Sequence, residues 1–335
     1  MRIKSNNLII KFKKGLFKNK TDSSITIFLI LIIIFFFSKI INWLVNIADW
    51  KVVLENLDLY GFGSYPHSEI WRPKLWITLL ATLCFFTLFS SKQSFSRKGL
   101  TLSWILIIPF GIFLLAGGFG LAEIPTRSWG GLTLSLILTL CSAAIALPLG
   151  IILAIGRQSN LKLINLTCKL YIDLMRSFPL ISVLFFGQLL IPLFLPVDYE
   201  VSRFIRAVFA FGLFSSAYIA EDIRGGLQTI PSTQYEAADV LGFNKRQTLL
   251  LIVLPQAIRT ALPALTNQAI GLLQNTSLMA ILGLVELLGI SRSILANPEF
   301  IGRYLEVYVW LAALYWFICT VMALISRRIE HQLNL

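Results

Sequence analysis

Long, almost unbroken apolar runs separated by short charged segments organise this chain, and most approach the roughly 20 residues that an α-helix needs to cross a bilayer core. They fall near residues 24 to 45, 75 to 91, 100 to 119, 131 to 155, 172 to 196, 204 to 220, 260 to 283 and 306 to 326, a pattern that predicts eight membrane-spanning helices. The runs are continuous and lack the alternation over about 10 residues that a lipid-facing strand carries. The expected fold class is therefore an all-α polytopic membrane protein.

Composition agrees with this solvent: 56% of the residues are hydrophobic and only 14% charged, far from the balance of a soluble domain. The charges are also sorted by side. Arg2, Lys4, Lys11, Lys13, Lys14, Lys18 and Lys20 precede the first run. Lys92, Arg97 and Lys98, then Arg157, Lys162 and Lys169, then Arg224, Lys245, Arg246 and Arg259, then Arg327 and Arg328 fall on the same side after an even number of crossings. The opposite loops carry Asp49, Glu55, Asp58, Glu69, Glu123, Asp198, Glu200 and Glu299. The positive-inside rule then predicts both termini in the cytoplasm. The net charge of +12 is a topology signal, and no nucleic acid is needed to explain it. Residues 25 to 37 also have the length of a signal-peptide core, but residues 42 to 50 offer no small-x-small cleavage site. Lys39 interrupts the first helix past its midpoint and is expected to snorkel to the outer headgroups.

Little in the chain points to catalysis. Cys84, Cys141, Cys168 and Cys319 stand singly in or beside apolar runs, without metal or pairing spacing, and His67 and His331 are too scattered for a ligand cluster. A P-loop signature is missing as well, so if ATP drives this protein another chain binds it. The expectation is no catalytic residue, no metal and no cofactor in this chain.

One polar island remains, at residues 231 to 255. Pro231 ends what precedes it, and Thr233 with Glu236 has the capping-box spacing that starts a helix. Gly242 can stop that helix in the left-handed conformation. Asn244 can then cap a second helix through Lys245 and Arg246 to Leu254, broken by Pro255. Ala237 and Ala238 leave room for a partner to approach, and Glu236, Lys245 or Arg246 can fix its orientation. An interfacial amphipathic segment with no partner explains the same pattern.

Glu236-Ala237-Ala238, Gly242, Ile252 and Leu254-Pro255, at these spacings, resemble the EAA signature of membrane subunits of bacterial ABC importers. Ala217-Tyr218-Ile219-Ala220-Glu221, Arg224-Gly225-Gly226-Leu227-Gln228, Gln234-Tyr235, Thr276-Ser277-Leu278 and Asn297-Pro298-Glu299 resemble the polar amino acid branch. Trp129-Gly130-Gly131-Leu132-Thr133-Leu134, Gly61-Phe62-Gly63 and Gly117-Gly118-Phe119-Gly120-Leu121 extend the likeness to the longer M-type permease of general L-amino acid importers. The resemblance covers about residues 30 to 330. Ser232-Thr233 stand where many relatives have Lys-Gly.

The resemblance implies a five-helix type I ABC importer core at residues 128 to 329, preceded by three extra helices at 24 to 127 with an outer loop near 46 to 74. A basic tail (1 to 23) and a short tail (330 to 335) would both be cytoplasmic, in a bacterial inner membrane. It implies that Tyr235, Glu236, Ala237, Ala238, Gly242, Lys245, Arg246, Leu254 and Pro255 couple to a cytoplasmic ABC ATPase dimer that binds ATP and Mg. A second permease subunit, either a related chain or a copy of this one, and a periplasmic amino-acid-binding protein complete the assembly, which moves L-amino acids.

Candidate pathway residues come from the seventh run, where Asn267, Gly271, Gln274, Asn275 and Leu278 recur at helical spacing with Thr276 and Ser277 alongside. Hydrogen-bonded glue between helices explains such a stripe as well as a solute lining does. Gln188 and Arg176 are the polar residues of the fifth run, and Glu221 and Asp222 close the sixth beside Arg224, where a local ion pair is expected. Trp50, Tyr60, Phe62, Tyr65 and Trp71 of the outer loop are expected to anchor at the interface. An ion-coupled secondary transporter is the alternative. It would be expected to place ionisable groups at mid-membrane, and this chain has almost none there. A membrane enzyme lacks its nucleophile and base.

Overall fold

A computed structural model of the chain describes residues 16–89, 97–194, 196 and 201–332; the basic residues Arg2, Lys4, Lys11, Lys13, Lys14 and Lys92, and the acids Asp198 and Glu200, lie outside them. Among the described residues every named element is helical. The chain divides into two units, residues 1–51 and the remainder. The first unit holds α1 (Lys20–Asn42), continued by a π turn at Trp43–Ile47. None of its side chains is buried, as suits a helix apolar on every face. Past its end the rings of Trp43 and Trp50 meet edge to face at 6.2 Å.

The second unit contains the short α2 (Leu57–Phe62), then α3 (Trp71–Phe89), α4 (Arg97–Ala116), α5 (Gly131–Arg157), α6 (Lys162–Ser177), α7 (Leu180–Phe185), α8 (Arg203–Gln228), α9 (Ser232–Val240), α10 (Leu254–Asn275), α11 (Leu287–Leu295) and α12 (Tyr304–Gln332). Among the described residues seven helices are long and apolar enough to cross a membrane, or eight if one bent pair counts as a span. That agrees with the predicted number, with one correction. The fifth run, expected as one helix over 172 to 196, is broken: Lys162–Ser177 and Leu180–Phe194 meet at 105°. Pro179 is the cause, since a proline disfavours helical backbone in the residue before it, and Phe178 is extended at φ −86°, ψ 143°. α6 turns its Ile172 inward and leaves Leu163, Leu166, Leu170 and Leu174 exposed along one side.

α5 and α8 pack against each other along their length because small residues line the contact. A Cβ on Gly150 would stand 2.5 Å from Ile219 Cγ2, and one on Gly212 would stand 2.9 Å from Ile145 Cβ. α10 joins at the far end of α8, where a Cβ on Gly226 would lie 2.3 Å from the Ala257 carbonyl oxygen. Buried apolar side chains form two clusters. One is built around Trp76, Trp129, Leu134, Phe211 and Met279, and the other around Ala154, Ile172, Ile223 and Val253. The segment before α3 and the first turn of α3 are pinned to the core by hydrogen bonds. Thr133 Oγ1 donates to Gly61 O at 2.8 Å, Tyr65 Oη to Leu115 O at 2.9 Å, and the buried Arg72 to Ala122 O at 2.7 Å.

Candidate functional site

At one end of the bundle, residues 231 to 255 form a braced two-helix loop. α9 begins directly after Pro231, whose backbone is extended at φ −67°, ψ 150°, and no side chain caps it. The expected Thr233–Glu236 capping box is therefore not formed. Pro231 fixes the start, so Thr233 is already inside the first turn, and an N-cap must sit outside it. The helix stops at Gly242, φ +79°. Gly242 N donates to Asp239 O at 3.0 Å and Phe243 N to Ala238 O at 3.0 Å, the two bonds of a Schellman turn. A capping box follows at Asn244: its Oδ1 accepts from Gln247 N at 2.9 Å while its own N–H donates to Gln247 Oε1 at 3.0 Å.

Pro255 does not break the second helix. Lys245–Leu282 is one continuous helical segment, with a π-helix at Thr248–Val253 leading into α10. Pro255 follows directly on that π-helix as the second residue of α10, and the helix runs past it without a break. Gln256 Nε2 donates to Gln234 Oε1 at 3.2 Å, tying α9 to α10.

This loop gathers all nine residues singled out there. Tyr235, Glu236, Ala237, Gly242, Lys245, Arg246 and Pro255 are exposed and Leu254 is half-buried. Ala238 is buried, so of the alanine pair only Ala237 offers room to a partner. The pattern of small residues could not separate the two. Val240 and Leu241, at 88% and 74% exposure, form an apolar tip.

Behind the loop lies an ion cluster whose extent sequence reasoning missed. Glu221 pairs with Arg224 one turn away at 2.9 Å, as a local pair would. It also accepts Arg157 from α5 at 2.5 Å and Arg176 from α6 at 3.3 Å, and Arg157 reaches Asp173 at 3.5 Å. Arg176 also stands over the Tyr218 ring, 5.6 Å from its centroid. One carboxylate thus joins the ends of three helices. The Arg157–Glu221 contact spans 64 residues, so no local spacing announces it.

The amide stripe of α10 is largely uncovered. Asn267, Gln274 and Asn275 are exposed, with Gly271 and Leu278 half-buried on the same helix. Gln274 makes a 3.8 Å contact with Cys319 Sγ. Thr276 turns inward, is buried and donates to Leu273 O at 2.7 Å, and Ser277 is half-buried. Gln188 lies apart from the stripe, buried against α8, where its Nε2 donates to Arg203 O at 2.8 Å.

A second missed residue, Glu286, is fully buried at the start of α11. Its carboxylate accepts from Leu288 N and Gly289 N, each at 2.9 Å, and from Tyr315 Oη at 3.4 Å. Burial pushes this carboxyl above the ordinary glutamate range, against the pull of the amide donors.

Residues 146–334 match the family described as the binding-protein-dependent transport system inner membrane component. The inner membrane amino-acid ABC transporter permease YhdY of Escherichia coli is 34% identical, over 98% of this chain and 94% of that protein. The glutamate/glutamine/aspartate/asparagine transport system permease BztC of Rhodobacter capsulatus is 30% identical, over 86% and 79%. Among solved structures, an amino acid ABC transporter crystallised with histidines superposes with a TM-score of 0.54 at 30% identity, over 60% of this chain and 92% of that one.

Proposed function

The chain belongs to the family of binding-protein-dependent transport system inner membrane components, and from that membership we propose that it is the membrane-spanning permease of an ATP-driven importer of L-amino acids. Relatives named for amino acids, and for glutamate, glutamine, aspartate and asparagine, support that cargo.

The loop at residues 231 to 255 would couple to the ATPase, and the observation that carries this is its rigid, exposed tip. Schellman turn and capping box hold the loop in one shape, while Val240 and Leu241 stand exposed at its tip. An apolar tip on a rigid lever is suited to a cleft in a partner protein. With both termini cytoplasmic, as the distribution of Lys and Arg favours, the loop faces the compartment that holds ATP. A separate ATPase dimer would bind ATP and Mg and hydrolyse it.

The uncovered amides of α10 support a pathway shared with a second permease subunit. Asn267, Gln274 and Asn275 facing lipid would be costly, so they belong against water or another chain. The importer core would then comprise residues 128 to 329, α5 through α12, with α1, α3 and α4 as the three additional crossings, and a periplasmic binding protein would deliver the solute to the far face.

Deleting residues 233 to 250 tests the coupling. The importer reading expects ATPase association and uptake to be lost together, while an ion-coupled carrier would keep ATP-independent uptake.

A further inference from the structure

A cleft of about 450 Å³ lies where α3 and α4 meet the rest of the second unit. Leu80 of α3, Trp104 of α4, Leu140 of α5, Ile219 of α8, Leu265 of α10 and Ile325 of α12 line it. Among the described residues no charged side chain does so, and the polar groups of the wall are already bonded. Thr139 Oγ1 donates to Ser135 O at 2.7 Å, Thr266 Oγ1 to Leu262 O at 2.9 Å, Ser326 Oγ to Glu330 Oε1 at 2.9 Å and Trp104 Nε1 to Thr87 Oγ1 at 3.1 Å. Apolar cavities of this kind stay dry yet accept apolar ligands. Protein interiors keep few voids larger than a water molecule, so a cleft of this size calls for an occupant.

On α10 the wall runs from Ile258 to Leu273, about 22 Å at 1.5 Å per residue, longer than the roughly 15 Å of one hydrocarbon leaflet. The cleft is open to its surroundings rather than sealed, and at this depth of a membrane-spanning bundle the surroundings are lipid tails. It begins at Ile258 and Ile329, near the ends of α10 and α12 that lie on the side of the loop at residues 231 to 255. Arg259 stands at that end. It extends the stripe of Leu262, Thr266, Ala269 and Leu273 by one turn, and it is exposed. The amides Asn267, Gln274 and Asn275 occupy the opposite side of α10, so the cleft is separate from the face assigned to the pathway.

We propose that the cleft holds one acyl chain of a membrane phospholipid, drawn from the leaflet on the loop side, with Arg259 taking the lipid's phosphate. A guanidinium pairs with a phosphate through charge-assisted hydrogen bonds, and basic residues between spanning helices at a membrane surface are placed for lipid headgroups. The bound chain fills the seam between α3 and α4 and the rest of the unit, and so fastens them together. Such a site does not depend on the cargo; it asks only that the helices span a membrane.

The test uses the full-length chain purified from membranes in detergent. Retained phospholipid is counted by native mass spectrometry, and thermal unfolding is followed with and without added dioleoylphosphatidylglycerol. Ala269→Phe and Ala143→Leu each put a larger side chain into the cleft, while Arg259→Gln leaves it open and removes the exposed cation. The wild type keeps a phospholipid through purification and unfolds at a higher temperature when more is added. The two filled variants unfold no lower than lipid-free wild type, lose the retained phospholipid and no longer respond to its addition. Arg259→Gln needs roughly tenfold more phospholipid for the same shift, the loss of one charge-assisted bond. Equal retention and equal stabilisation in the wild type and the filled variants overturn the proposal. So does an Arg259→Gln response equal to the wild type's, which would remove the phosphate contact. Stabilisation by dodecane as strong as by the phospholipid also overturns it, since the cleft would then be a general apolar void.

Discussion

Glu221 on α8 accepts a hydrogen bond from Arg157 at the end of α5, at 2.5 Å, and by this contact two central helices share one carboxylate at the end that bears the loop of residues 231 to 255. Arg176 and Arg224 use the same group. Glu221→Gln leaves three guanidiniums facing a neutral amide. The loss of charge-assisted bonds at this half-covered position is expected to cost about 2 kcal/mol. Thermal unfolding of the detergent-solubilised assembly should show a lower midpoint, with Arg224→Gln, which removes only one of the three guanidiniums, falling between the variant and wild type.

The two capping signals of the loop separate by mutation. Asn244 holds both bonds of the capping box, so Asn244→Ala should weaken the second helix by about 1 kcal/mol. Thr233 caps nothing, and Thr233→Ala should leave the loop unchanged. Hydrogen exchange at residues 245 to 248 reads the difference; equal protection in both variants would contradict the assignment.

Gly226 marks a close approach of α8 and α10. A Cβ there meets the Ala257 carbonyl oxygen at 2.3 Å, and backbone cannot step aside as a flexible side chain does. Gly226→Ala is expected to destabilise the packed helices by about 1 to 3 kcal/mol. Gly225, one residue earlier, has nothing within 4 Å of such a Cβ. Gly225→Ala is the matched control and should be silent.

Burial raises the carboxyl of Glu286. A folded-state value above the unfolded one means that the folded protein holds the proton more tightly. This group's contribution is therefore fully present below the ordinary glutamate value of about 4.3 and is lost as pH rises through the raised one. The unfolding midpoint of the wild type relative to Glu286→Gln should fall across that window, and a pH-independent difference would contradict it.

Much of this architecture is written in the chain. Eight apolar runs mark the crossings, because lipid requires that length and continuity. Gly242 marks the turn of the loop, because its left-handed backbone suits glycine. What escaped were features set by contacts distant in sequence or by competition between local signals. Pro179 breaks a run whose apolar stretch resumes directly after it, at residues 180 to 186. Pro231 sets a helix start that Thr233 and Glu236 seemed to claim, and the π-helix ahead of α10 lets Pro255 pass without a break. Glu221 gains Arg157 and Arg176 from other helices, and Glu286 is buried by packing around α11. Neither partnership has a local spacing to betray it.

Coupling through the loop at residues 231 to 255 is the central claim, and Gly242 addresses it most directly. Its φ is +79°, and among the described residues nothing lies within 4 Å of a Cβ placed there, so Gly242→Ala adds only modest backbone strain while Gly242→Asp also puts a charge where a partner would sit. The decisive measurement is ATP-driven uptake of labelled amino acids in proteoliposomes, alongside ATPase binding and the amount of each variant in the membrane. The account predicts that Gly242→Asp is present at wild-type levels but has lost ATPase coupling and uptake together, with Gly242→Ala far less affected. Uptake that needs no ATP and is untouched by Gly242→Asp would contradict it.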